Sequence, residues 1–272
     1  MPTVNSPPSF HRPVSQICTQ AQFDAPAYHF WCRKIRETPR VHRKQWEFCY
    51  ILQALASTGA LAPSSRGVGY GVGQEPLPAV FAACGCEVLA TDLDFTAADA
   101  SGWIATNQHA QGKDALNLRG ICDPQDFERL VSFRSVDMNE IPDDIAGFDF
   151  TWSACALEHL GSLRHGFDFI EATLATLIPG GVAVHTTELN CSSNEETVET
   201  GGTVLYRKRD IMEFCHRMEN QGHEITLNLN HGNLPLDYYI DAPPYTSDKH
   251  IRLQLGRFVT TSIGLIVRKA WK

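Results

Sequence analysis

Residues Gly67 to Asp94 read GVGYGVGQEPLPAVFAACGCEVLATDLD: a glycine-punctuated turn, a helix-length apolar stretch, then a short strand ending in carboxylates. An open α/β sheet uses that order to hold a nucleotide-like ligand at the C-terminal edge of its strands. Gly69, Gly71 and Gly73 follow G-x-G-x-G, so bare main chain lets a ligand approach and leaves the amides at the next helix's start pointing at it. The dinucleotide fingerprint needs G-x-G-x-x-G/A. Its sixth position here is Gln74 counted from Gly69 and Val72 counted from Gly67, which disfavours NAD. Asp92 ends the second strand, nineteen residues beyond Gly73, where a carboxylate can accept both hydroxyls of a ribose. Asp137 and Met138 follow the third, where an adenine needs an acceptor and a polarisable apolar neighbour.

Outward from this segment the chain alternates. Candidate strands are 66–70, 87–91, 132–136, 148–153, 181–187, 224–229 and 260–267, and helical patterns run over 77–83, 95–108, 163–177 and 208–221. Such alternation implies right-handed crossovers and a mainly parallel sheet. No helix separates the last two strand candidates, so the final one can run antiparallel. Upstream, residues 1–24 are rich in Pro and Ser and read as loosely ordered. Tyr28, Trp31, Cys32 and Ile35, then Trp46, Cys49, Ile51, Leu52 and Leu55 beyond Pro39, give two helices that either pack on the sheet or close over the ligand. The expected division is a tail and helical cap over 1–60 and an α/β sheet domain over 61–272.

Composition narrows the partners. Lys and Arg total 23 against 31 Asp and Glu, the formal net charge is -8, and no polybasic block or arginine-rich stripe stands out, so nucleic acid is not the expected partner. The first thirty residues carry no secretory signal, and the longest apolar run, 79–84, is too short to span a bilayer. Nine cysteines, an odd number, suit a reducing cytoplasm better than a disulfide framework. Cys84 and Cys86 form C-x-C without a second pair at zinc spacing, which reads as structural thiols.

From Gly67 to about Lys269 the chain resembles the class I S-adenosylmethionine-dependent methyltransferases. The motifs are GVGYGVG, ATDLD, VDM at Asp137, FDFTWSACALEHL over 148–160 and LIPGGVAVHTTE over 177–188. The resemblance implies a Rossmann-like, doubly wound, mainly parallel seven-stranded sheet with an antiparallel last strand, preceded here by helices. It implies S-adenosyl-L-methionine as cofactor, with contacts from Gly69, Gly71, Gly73, Asp92, Leu93, Asp137, Met138 and Ser153. The family carries an acid two places before the first glycine; this chain has Gly67 there, and Glu75 is the candidate replacement.

Methyl transfer from a sulfonium is an in-line displacement that asks for alignment and exclusion of water. A hydroxyl acceptor also needs a base, for which Glu158, His159, His185 and Glu188 are candidates near the fourth and fifth strand ends. Long connections on the same sheet edge hold Trp103, Tyr238, Asp241 and Tyr245, whose rings and carboxylate suit a small or glycan-like acceptor methylated at oxygen. Glu188, Asp237, Asp241 and His250 form a donor set for Mg²⁺ only if the fold converges them, and no metal is expected. The rival readings are a nicotinamide-dependent oxidoreductase and a non-catalytic binding protein on the same scaffold.

Overall fold

The computed structural model describes residues 2–94, 109–110 and 112–272; the expected helix over 95–108 lies outside them. In chain order the elements begin with β1 (Ser15–Ile17), α1 (Pro26–Lys34), α2 (Arg43–Ser57), β2 (Arg66–Tyr70), α3 (Leu77–Ala83), β3 (Glu87–Asp92), α4 (Pro124–Leu130), β4 (Val131–Ser135) and β5 (Phe148–Ala154). They continue with β6 (Gly161–Ser162), α5 (Leu163–Thr176), β7 (Leu177–Asn190), β8 (Thr200–Gly201), α6 (Lys208–Asn220), β9 (Leu227–Asn228), β10 (Ile240–Asp241), β11 (Arg252–Leu255) and β12 (Phe258–Arg268).

The main sheet runs β4-β3-β2-β5-β7-β12-β11-β10. Strands β4, β3, β2, β5 and β7 are mutually parallel, and β12 lies antiparallel against β7 from Thr260↔Asn190 to Arg268↔Val182. All seven expected strands are present and the last has the expected sense. The sixth is shorter than expected, reduced to β9, and pairs with β1 rather than with the core of the sheet.

The first 24 residues correct the expectation of a loose tail. The outer edge of β12 would otherwise present a row of unpaired backbone groups. Strand β1 covers one half of that edge through Gln16↔Gly264, and β11 covers the other through Leu253↔Thr260. Phe10, Ile17 and Phe23 are buried. Proline and serine in this stretch mark a tethered edge, with Ser15 Oγ accepting from the Ile266 amide at 2.9 Å.

Alternation along the strands sends side chains to two apolar layers. Val68 and Tyr70 of β2 join α5 and α6 on one face, while Phe150 and Trp152 of β5 join α2 and α3 on the other. Gly67 and Gly69 share that second face, paired with Phe150 and Trp152. A Cβ at Gly67 would lie 2.2 Å from the Phe150 ring, and one at Gly69 would lie 2.2 Å from the Trp152 ring. The two glycines are therefore slots for two aromatic rings, which Phe81 of α3 closes edge-on.

Gly67→Ala forces the Phe150 ring out of its slot, and overpacking of this kind costs about 1–3 kcal/mol. Urea unfolding should show that loss, and Gly67→Ala/Phe150→Leu should recover part of it.

Candidate active site

At the C-terminal ends of β2 to β5 a cavity of about 650 Å³ is walled by the glycine turn, the β3 and β4 ends, the segment after β5 and the face of α2 bearing Lys44, Glu47 and Phe48. Of the residues named as cofactor contacts, Gly71, Gly73, Glu75, Asp92, Leu93, Asp137 and Met138 line it. Gly69 and Ser153 do not. Gly69 faces Trp152, and Ser153 is buried with its hydroxyl 2.8 Å from His185 Nδ1.

Gly71 and Gly73 have φ of 60° and 48°, a left-handed backbone that glycine adopts without strain. A Cβ at Gly71 would also come 3.0 Å from Met138 Sδ, so the turn presses main chain against the methionine. Asp92 pins this turn: its Oδ2 accepts from the Gly73 amide at 2.9 Å and the Ala110 amide at 3.2 Å, and its Oδ1 accepts from the Leu93 amide at 2.9 Å. Burial raises the Asp92 pKa while these amides pull it back.

The acid missing at Gly67 has a physical explanation, since the Phe150 ring occupies the space its side chain would need. Glu75 stands on the cavity wall instead, with its Oε1 accepting from Trp152 Nε1–H at 2.6 Å. Burial holds its carboxyl well above the usual range, with the Trp152 hydrogen bond opposing. One tryptophan thus fills the Gly69 slot with its ring and orients Glu75 with its indole N–H.

Of the base candidates, only His159 lines the cavity. Its Nδ1 lies 2.7 Å from the Gly202 carbonyl, the geometry of an N–H donated to it, which ties the loop after β5 to the strand pair β6–β8. His185 is fully buried between Ser153 and Thr173, and burial pushes its pKa down to about 3. It is a core histidine, not a base at the cavity.

Glu188 is buried and ion-paired with Arg43 Nη2 at 2.5 Å. Arg43 Nη1 also reaches Glu47 at 3.3 Å and Ser262 Oγ at 3.1 Å, so one guanidinium joins α2 to β7 and β12. Burial opposes the Arg43 charge, but Glu188 and Glu47 outweigh it and hold its pKa above the usual value. Glu158 is buried too, accepting from Thr187 Oγ1 at 3.0 Å.

The tyrosine-rich loop also corrects an expectation. Tyr238, Asp241 and Tyr245 do not line the cavity, and Trp103 lies outside the described residues. Tyr245 donates to the Gln254 carbonyl at 2.6 Å. Asp241 is spent on His250 Nδ1 at 2.6 Å and the Thr246 amide at 3.0 Å, and Asp237 accepts from the Gln20 and Leu234 amides. The four-residue Mg²⁺ set therefore does not assemble. Among the described residues, Cys155, Glu158 and Glu188 bring ligand atoms within 4.8 Å of one another, but the Arg43 guanidinium already supplies the positive charge there.

Lys44, Glu47, Phe48, His109, Arg119 and Cys155 line the cavity and were not singled out from the sequence. The helical pattern of α2 could have suggested the first three, because Glu47 interrupts an apolar face. His109 is buried, with its Nε2 at 2.8 Å from the Leu93 carbonyl.

The strand order, the antiparallel last strand and the glycine turn define the fold of the class I S-adenosylmethionine-dependent methyltransferases. No family model and no curated protein matches the chain. Among solved structures, it is similar to magnesium protoporphyrin IX methyltransferase from Synechocystis PCC 6803 with bound SAH at 10% identity and a TM-score of 0.48, covering 92% of this chain and 97% of that one. An S-adenosylmethionine-dependent methyltransferase from Clostridium acetobutylicum aligns at 12% identity and a TM-score of 0.44, over 89% and 97% of the two chains. A candidate sarcosine dimethylglycine methyltransferase from Galdieria sulphuraria aligns at 16% and 0.39, over 61% of each chain, so this chain spans less than two thirds of that protein. Among the described residues no helix is long and apolar enough to cross a membrane.

Removing one partner of a buried ion pair leaves the other uncompensated at about 3–5 kcal/mol. Arg43→Met should lose that much in chemical denaturation, and Arg43→Met/Glu188→Leu should recover only part of it, because Glu47 is left with Lys44 as its one cation.

Proposed function

We propose that the cavity binds S-adenosylmethionine and that the chain transfers its methyl group to the oxygen of a small-molecule acceptor. The observation that carries this reading is the convergence, in one cavity of about 650 Å³, of the glycine turn with Glu75, Asp92, Asp137 and Met138. That volume lies within the range of ligand pockets, roughly 300–1,000 Å³. The residues suit the cofactor's parts: Asp92 the ribose, Met138 and Asp137 the adenine, and Glu75 the ammonium of the methionyl end. The bound cofactor supplies an electrophilic methyl group. Bare main chain at Gly71 and Gly73 lets a ligand approach, Phe48 and Leu160 keep water out, and His159 takes the proton of a hydroxyl acceptor. The tyrosine-rich loop was the ground for a glycan-like acceptor and does not line the cavity, so the glycan reading loses that support.

Calorimetric titration tests the reading: S-adenosylhomocysteine should bind and NAD(H) should not, whereas the reverse selects the nicotinamide enzyme and no binding selects a protein without the cofactor. Glu75→Gln should weaken S-adenosylhomocysteine at least tenfold and leave methylthioadenosine, which has no ammonium group, within twofold. The same variant carries a stability signature. A carboxyl whose native pKa is raised favours folding below its unfolded pKa of about 4.3 and loses that contribution as pH rises through the native value. At neutral pH the ligand-free Glu75→Gln protein should therefore melt higher than the parent, and the gain should vanish toward pH 4, a shift that thermal melts across pH will show. On any hydroxyl acceptor, His159→Gln should lower turnover roughly 10²-fold or more, read from single-turnover rates.

A further inference from the structure

The whole-chain charge conceals a local excess. Between Arg33 and Lys44 six residues are Lys or Arg and Glu37 is the single acid, in a chain of formal net charge -8. This stretch comprises the end of α1, the connection and the start of α2. It reaches the cavity through Lys44, and it holds a second cavity-lining cation, Arg119, from a different part of the chain.

Arg119 is held on one side. Its Nη1 donates to the Ile35 carbonyl at 2.9 Å and to Glu37 Oε1 at 2.6 Å, and Arg36 Nη1 donates back to the Arg119 carbonyl at 2.6 Å. Arg36 adopts φ of 57° within this clamp, a left-handed conformation uncommon outside glycine. Among the described residues all partners of the Arg119 guanidinium are on Nη1, which leaves the Nε–Nη2 edge unspent. That edge matches the two oxygens of a carboxylate or phosphate. Lys44 adds a point charge: its ammonium contacts Glu47 only at 3.4 Å and its side chain is 44% exposed. The cavity thus has carboxylates at Glu47, Glu75, Asp92 and Asp137, and cations at Lys44 and Arg119.

The geometry points to an anion subsite in which Arg119, with Lys44, holds a phosphate or carboxylate group of the methyl acceptor. This rests on the methyl-transfer reading, because the acceptor must share the cavity with the cofactor. Arg36 is a positioning residue that fixes the Arg119 backbone and makes no ligand contact of its own. The rival occupant is the cofactor's own carboxylate, which methylthioadenosine lacks.

The full chain, saturated with S-adenosylhomocysteine at low ionic strength, is titrated calorimetrically with inorganic pyrophosphate and separately with malonate, and the two arms distinguish a phosphate from a carboxylate ligand. At least one anion should bind, at least tenfold more weakly in Arg119→Gln and in Lys44→Gln and more weakly with added salt, while S-adenosylhomocysteine stays within twofold. Both positions are partly exposed, and unchanged melting temperatures will show that the variants fold. Three results overturn the subsite: neither anion binds the loaded protein, neither variant changes anion affinity, or Arg119→Gln weakens S-adenosylhomocysteine but not methylthioadenosine. A chain that binds neither nucleoside overturns the methyl-transfer reading and the subsite with it.

Discussion

Two aromatic rings compete with two backbone positions for the same space, and the rings win. Phe150 and Trp152 on β5 project onto the face of β2 where Gly67 and Gly69 would carry side chains. Close packing leaves no room for both, so the first strand must be bare there. The glycine turn begins at once beyond it, and a carboxylate on the cavity wall has to come from elsewhere. Glu75 comes from the far side of the turn, and Trp152 both excludes a side chain from the strand and orients the replacement. Packing and site chemistry therefore meet in one residue.

A second constraint joins the N-terminal helices to the face that carries the cavity. Arg43 is buried among Glu47, Glu188 and Ser262, so its desolvation is offset only if α2 seats with its first turn over the ends of β7 and β12. Once seated, the same helix turns Lys44, Glu47 and Phe48 into the cavity. A buried charge is a weak source of net stability. It is a strong penalty against misplacement, since any other docking leaves a carboxylate unpaired.

The carboxylates of the cavity divide the work that a charged ligand imposes. Asp92 spends its oxygens on the amides of Gly73, Leu93 and Ala110, which stiffens the turn before any ligand arrives. Glu75 is buried at the cost of a raised pKa, a cost that a cationic ligand group would relieve.

Periodicity and glycine placement made most of the sheet legible in the sequence, because alternation and turn chemistry are local properties carried by neighbouring residues. The five parallel strands, the antiparallel last strand and the glycine turn could all be read that way. Local signals misjudged residues 1–24, whose polar composition hides a strand that exists only because β12 has an edge to cover. They also misjudged His185, Ser153 and Glu188, whose position at strand ends says nothing about which side of the sheet they face or what meets them there. The joining of Lys44, Arg119, Asp92 and His159 around one cavity was decided by the tertiary structure alone, because convergence of distant segments depends on packing between layers that no local pattern encodes.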